Sequence, residues 1–158
     1  MPEFDQRELR DALGHFATGV AVVTADGARG PVGITINSFA SVSLDPPLVL
    51  WSLARGSDRF ECFTGTEYFT IHVLPAGEKP LALRFATLGR DFEGLELETG
   101  IGGTPLLATY AARFECRTAA CHDGGDHVIL VGEVLRLCER DVPPLLFHRG
   151  GFKSLTLG

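Results

Sequence analysis

Apolar and polar positions change their period several times along the chain, and each change marks an element. Leu9, Ala12, Leu13 and Phe16 recur at i, i+3, i+4 and i+7, one face of an N-terminal helix. Asp5 followed by Glu8 supplies the two side chains of a capping box in front of it. The stretch GVAVVTADGARGPVGITIN shifts to strand composition and reads as a hairpin that turns between Asp26 and Pro31. Pro46 and Pro47 cannot both donate to a ladder, so the strand LVLWSL behind them enters from a sheet edge. SDRFECF reads as one short helical turn with Ser57 as its N-cap, and EYFTIHVL alternates as a strand.

From Glu78 the helical period returns, with Leu81, Phe85 and Leu88 on one face. Residues 89–104 form a glycine-rich excursion. Two long strands follow, over 106–117 and 127–137, separated by a loop that contains HDGGDH. Pro143 and Pro144 precede a last short strand and HRGGF. Six or more strands, two helices and no regular βα alternation predict a mainly β domain, a closed or split barrel with a few short helices.

Length and charge narrow the picture. The 158 residues fit one domain with a real core. Fourteen Lys and Arg against 20 Asp and Glu give a formal charge of −6, which argues against a nucleic-acid partner. No apolar run is long enough to span a membrane, and MPEFDQRELR lacks the apolar core of a signal peptide, so the expected compartment is the cytoplasm. Cys62, Cys116, Cys121 and Cys138 form no CxxC pair and are expected to be free thiols. Cys121, His122, Asp126 and His127 lie close together, but in no standard zinc spacing, so no metal is expected.

One stretch asks for more than a fold. Between the strand-forming ends of GITINSFASVSLDPPLVLWSL lie Thr35, Asn37, Ser38, Ser41 and Ser43, a dense set of small hydroxyl and amide groups. Such groups at a barrel strand end can hold the polar edge of a flat ring such as a flavin. They can equally bond to their own backbone in a turn. The residues alone leave both readings open.

Their order in the sequence adds a resemblance. FATGVAVVTADGARGPVGITINSFASVSLDPPLVLWSL closely resembles the short-chain NAD(P)H:flavin oxidoreductases, the flavin reductase components of two-component flavin-dependent monooxygenases. The likeness continues in order through SDRF, FTIHVL, RFA, GTPLL, FEC, GDHVILVGEV and PLLFHRGGF, nearly the whole chain. It implies a six-stranded split β-barrel of Greek-key type, the FMN-binding split barrel, over residues 1–158. It further implies a homodimer with flavin sites near the interface, FMN or FAD as the flavin, NADH or NADPH as hydride donor, and a partner monooxygenase that receives reduced flavin.

Carried onto this sequence, the resemblance places Thr35, Asn37 and Ser38 along the flavin ring and ribityl chain. Ser41, Val42 and Ser43 fall at the pyrimidine end, and Ser52 and Leu53 beside the ring. Ser52 stands where many relatives have Cys. Arg55, Gly56 and Ser57 are the expected phosphate loop, with Arg84 and Phe85 as further candidates from the neighbouring helix. His127 of GGDH is the expected catalytic residue, holding the nicotinamide with Asp126 orienting its ring. A histidine in that position can also be a solvated turn residue, and Phe152, expected to cover the site, can be a packing aromatic. His15, His72, His122 and His148 receive no role, and Trp51 is expected in the core. No GxGxxG follows a strand, so a Rossmann site is unsupported.

Overall fold

The computed structural model describes residues 2–155. Along the chain run α1 (Gln6–Leu13), β1 (Thr18–Gly19), β2 (Ala21–Gly27), β3 (Gly30–Ile36), β4 (Ala40–Leu44), β5 (Pro47–Ala54) and α2 (Phe60–Gly65). They are followed by β6 (Tyr68–Val73), α3 (Lys79–Thr87), β7 (Leu97–Thr99), a short 3-10 turn (Ile101–Gly103) and β8 (Pro105–Leu107). The long strands β9 (Ala112–Gly124) and β10 (His127–Glu139), then β11 (Leu145–His148) and β12 (Gly151–Ser154), complete the order.

Seven strands form one antiparallel sheet in the order β3-β2-β6-β9-β10-β5-β4. The expected count was six. Its two edges, β3 and β4, are consecutive in sequence and joined only by Asn37, Ser38 and Phe39. A chain segment that short reaches about 14 Å at most, so the sheet curls until its edges face each other. Among the described residues no ladder joins them, and the sheet stays open.

Period-two alternation explains which faces meet inside this curl. Val49, Trp51 and Leu53 of β5 and Val128 and Leu130 of β10 point into one core with Val23, Ile71 and Phe69. Trp51 meets Phe63 edge-on at 5.2 Å, as expected for a core tryptophan. A second core of Val20, Val22, Leu74, Leu81, Ala82, Phe85, Leu107 and Leu145 lies on the other face of β2, beneath α3. β2 is therefore buried on both faces, which is why its apolar run is nearly continuous.

Several local expectations change. The capping box forms, with Glu8 N–H donating to Asp5 and Asp5 N–H to Glu8, each at 2.8 Å. α1 nevertheless buries none of its residues, and Leu9, Leu13 and Phe16 are exposed. Ser57 is not the N-cap of α2; it accepts the Arg59 N–H at 3.1 Å in the preceding turn. Leu88 lies just past α3 and is exposed, while Ala82 takes its place in the buried face. The 106–117 strand is broken: β8 pairs with β7, and β9 begins at Ala112. The HDGGDH loop is mostly ladder, because β9 runs to Gly124 and leaves only Gly125 and Asp126 as the turn.

The β9–β10 ladder carries two irregularities. Ala119 has no residue opposite it in β10, and further along Leu135 has none in β9.

Candidate functional site

The polar block divides between structural and surface roles. Thr35 Oγ1 donates to the Ala82 carbonyl at 2.6 Å, tying β3 to α3. Ser38 Oγ accepts the Ser52 N–H at 2.9 Å and donates back to the Ser52 carbonyl at 3.3 Å. That reciprocal pair binds the connection between the two sheet edges to the interior of β5. Asn37, Ser41 and Val42 are exposed and Ser43 half-buried. Val42 occupies a bulge, with no residue opposite it in β5, and β4 is an edge whose outer backbone groups have no strand partner among the described residues.

Asn37 and Thr35 meet Phe152 across a cleft of about 200 Å³ that Val20, Ile36, Ala86 and Phe147 complete. The lining is almost wholly apolar apart from the amide and hydroxyl. Phe152 packs edge-on against Phe147 at 5.3 Å, with the Lys79 ammonium 5.9 Å from its ring. β12 and β11 thus carry an aromatic pair to the mouth of the cleft.

Other expected residues lie elsewhere. Leu53 and Phe85 are core side chains, 1% and 0% exposed, and present no side-chain surface to a ligand. Arg84 donates to the Glu93 carbonyl at 2.7 Å and to that of Asp91 at 3.3 Å, so it holds the loop after α3. Arg55 turns to the β9–β10 hairpin: its Nε donates to Gly125 O at 2.8 Å and its Nη2 pairs with Asp123.

A residue absent from the expected set stands out. Arg59 is 8% exposed, and one of its Nη atoms donates to the carbonyls of Gly33, at 3.3 Å, and Phe85. Its Nε lies 3.3 Å from Asp58 Oδ1 but outside hydrogen-bonding geometry, and is without a hydrogen-bond partner among the described residues. The guanidinium fits because position 89 is glycine; a Cβ there would run into it. Arg59 and Gly89 line a second cleft, about 370 Å³, with Thr87, Leu88, the exposed Arg90 and two carboxylates, Asp58 and Asp91. Consecutive residues of α3, Ala86 and Thr87, border the two clefts.

His127 opens β10, opposite Ala54 of β5, and lines neither cleft. Its Nδ1 lies 2.7 Å from Asp126 Oδ1. A carboxylate only accepts, so Nδ1 carries the proton and Nε2 is the free ring nitrogen. The same hydrogen bond from His127 holds the Asp126 carboxyl below its usual range. Cys121 and His122 pair along the hairpin with Leu130 and Ile129.

The sequence model of the flavin reductase like domain matches residues 13–156. The chain belongs to the flavin reductase family. It is 54% identical over 148 residues to the FMN reductase (NADH) SmoA of Agrobacterium fabrum, covering 94% of this chain and 85% of that protein. It is 35% identical over 159 residues to HsaB, the reductase subunit of a flavin-dependent monooxygenase from Mycobacterium tuberculosis, covering 97% and 84%. Other relatives are longer: the chain spans 48% of the reductase component of a trigonelline monooxygenase from Acinetobacter baylyi, at 41% identity over 92% of this chain. Among solved structures, the NADH:FAD oxidoreductase SgcE6 of Streptomyces globisporus, in complex with NAD and FAD fragments, superposes with a TM-score of 0.91 at 37% identity, covering 97% and 94%.

The family's flavin has a chemically matched site in this chain. The Asn37–Phe152 cleft offers an apolar wall and an amide to a flat ring, and the exposed Arg90 of the second cleft offers a cation to a phosphate.

Proposed function

We propose that the protein is an NADH- or NADPH-dependent flavin reductase that delivers reduced FMN or FAD to a partner monooxygenase. The observation that carries this is the apolar cleft beside α3, where Asn37 and Phe152 face each other with room for a flat ring. The exposed Arg90 in the neighbouring cleft supplies a cation within the same region of α3. The relatives add support, being named as NADH-dependent reductases and as monooxygenase reductase subunits.

When bound, the flavin and the nicotinamide supply the hydride chemistry themselves. The chain's residues bind and align. Asn37 fixes the in-plane orientation of the ring, while Thr35, Ser38 and Ser52 hold the surrounding backbone in place. The edge strand β4, with Ser41, Val42 and Ser43, offers backbone donors to the ring's polar end, where negative charge accumulates on reduction. Ser57 and Arg90 hold the phosphate, while Arg59 fixes the Gly33 and Phe85 backbone. His127, through its free Nε2, orients the nicotinamide, and Phe152 covers the ring.

We further infer that residues 1–158 act as one domain, that the curled sheet is the family's split barrel, and that the protein works as a homodimer in the cytoplasm. The exposed apolar face of α1 supports the dimer. The deciding experiment mixes the purified protein with FMN or FAD and follows NADH and NADPH oxidation. Catalytic oxidation with release of reduced flavin is expected. Flavin binding with no oxidation above the uncatalysed rate would make the protein a non-catalytic flavin carrier instead.

A further inference from the structure

We infer that Arg55 is a positioning residue for the nicotinamide side of the site, acting through His127, and that its guanidinium does not bind the flavin phosphate. The inference rests on the reading of His127 given above. Three donors of this one residue converge on the hairpin turn before His127. Its backbone N–H reaches the Asp126 carbonyl at 2.9 Å, its Nε reaches the Gly125 carbonyl at 2.8 Å, and its Nη2 pairs with the Asp123 carboxylate.

The turn needs such a clamp. Gly124 and Gly125 leave the backbone with more freedom than any other pair of residues would, and Gly125 adopts φ +78°, where most side chains are strained. Asp126, the other turn residue, is the one whose carboxylate holds the His127 ring. An unclamped turn would let Asp126 wander, and the direction of the free Nε2 with it. Fixing the carbonyls of Gly125 and Asp126 fixes the starting point of the Asp126 side chain and therefore the imidazole plane.

Stability does not account for the arrangement. The Arg55 and Asp123 side chains are 44% and 80% exposed, and ion pairs that open to water contribute little to folding. What the fork geometry supplies is direction: Nε and Nη2 grip a carbonyl and a carboxylate at once, which a lysine cannot do. The Ala54–His127 pairing in the ladder puts the arginine one residue from the strand position opposite the histidine, so the clamp spans no flexible segment. Two of its five guanidinium N–H donors are committed to the hairpin, and Arg55 lines neither cleft, so its guanidinium is turned away from both.

The test is a double-mutant cycle on the full chain, with Arg55→Ala, His127→Ala and the combination, assayed for the NADH KM, kcat and flavin Kd. Arg55→Ala is expected to raise the NADH KM about fivefold with flavin Kd unchanged, and to add nothing further in the His127→Ala background. Asp123→Asn, which keeps the volume and weakens the pairing, should shift the KM in the same direction by less. Three results would overturn the proposal. An Arg55→Ala protein with weakened FMN but normal riboflavin binding would make Arg55 a phosphate ligand. A KM effect that persists undiminished without His127 would place its action elsewhere. Normal nicotinamide use by His127→Ala would remove the reading of His127 itself, and with it the route by which Arg55 acts.

Discussion

The buried Nε2 of His72 accepts the backbone N–H of Leu107 at 3.0 Å. Its Nδ1, 3.0 Å from the Val22 carbonyl, donates on the other side. The ring is therefore a neutral imidazole in one tautomer, linking β2, β6 and β8. Burial, outweighing the Val22 contact, pushes its pKa down from 6.5 to about 3.

This makes the fold acid-sensitive in a defined window. A histidine with a depressed native pKa contributes stability that is fully present above its unfolded value of 6.5 and is lost as pH falls toward about 3. Within that window the unfolded chain binds a proton that the native ring does not, so stability falls by about 1.4 kcal/mol per pH unit. Glu115, held below 4.5 by Arg136, adds to the loss only lower down, because its contribution is present above 4.5 and disappears below it. Urea melts between pH 8 and 4.5 should show the His72 slope. In His72→Gln they should start from lower stability and be nearly flat, and an unchanged slope in that variant would assign it to another group.

Arg90 should discriminate phosphate from no phosphate. Arg90→Ala is expected to weaken FMN about tenfold, the worth of one charge-assisted hydrogen bond, while riboflavin is bound and reduced as before. Equal loss for both flavins would show that Arg90 holds the fold or the ring. Fluorescence titration measures this directly.

Asn37 and Ser38, though adjacent, should respond differently. Asn37→Ala should raise the flavin Kd with little change in thermal midpoint, since its side chain faces the cleft. Ser38→Ala removes the bonds to Ser52 and should cost about 1 kcal/mol, a few degrees in melting temperature, before any effect on flavin is counted. Calorimetry of the two variants separates them.

The apolar face of α1 should be an interface. Leu13, the last residue of α1, is 65% exposed and Phe16, in the turn just beyond it, 78%, and α1 buries none of its own residues. Phe16→Asp combined with Leu13→Asp should convert a dimer to a monomer in sedimentation at micromolar concentration. A wild-type monomer under those conditions would refute the dimer, and a dimeric double variant would move the interface to another surface.

Much of this was legible in the sequence, and the exceptions share a cause. The 19–37 hairpin and the capping box depend on neighbours in the chain, and they read correctly. The burial of Arg59 depends on Gly33, Phe85 and Gly89, brought together from separate segments, so nothing within SDRF itself announces it. Phe85 and Leu53 matched positions expected near the flavin, but their faces point into the two cores, which only the curl of the sheet decides. HDGGDH looked like a loop because its polar residues extend the ladder beyond the core, where pairing needs no apolar face. For α1 the pattern gave the helix and the stripe of Leu9, Ala12 and Leu13, but the helix stops at Leu13 and leaves Phe16 in the turn beyond it. What covers the stripe is not written in the same segment.

The two unpaired residues of the β9–β10 hairpin, Ala119 and Leu135, lie on opposite strands, so the slip that one introduces the other cancels. The pairing at the tip, where His127 faces Gly124, is thereby restored to the alignment found at the base, where Glu139 faces Ala112. Such a hairpin has a parity rule: single-residue deletions at either bulge disrupt it, while the matched pair of deletions leaves both ends in phase. Length variation in this ribbon is therefore expected to come in twos, one residue from each strand.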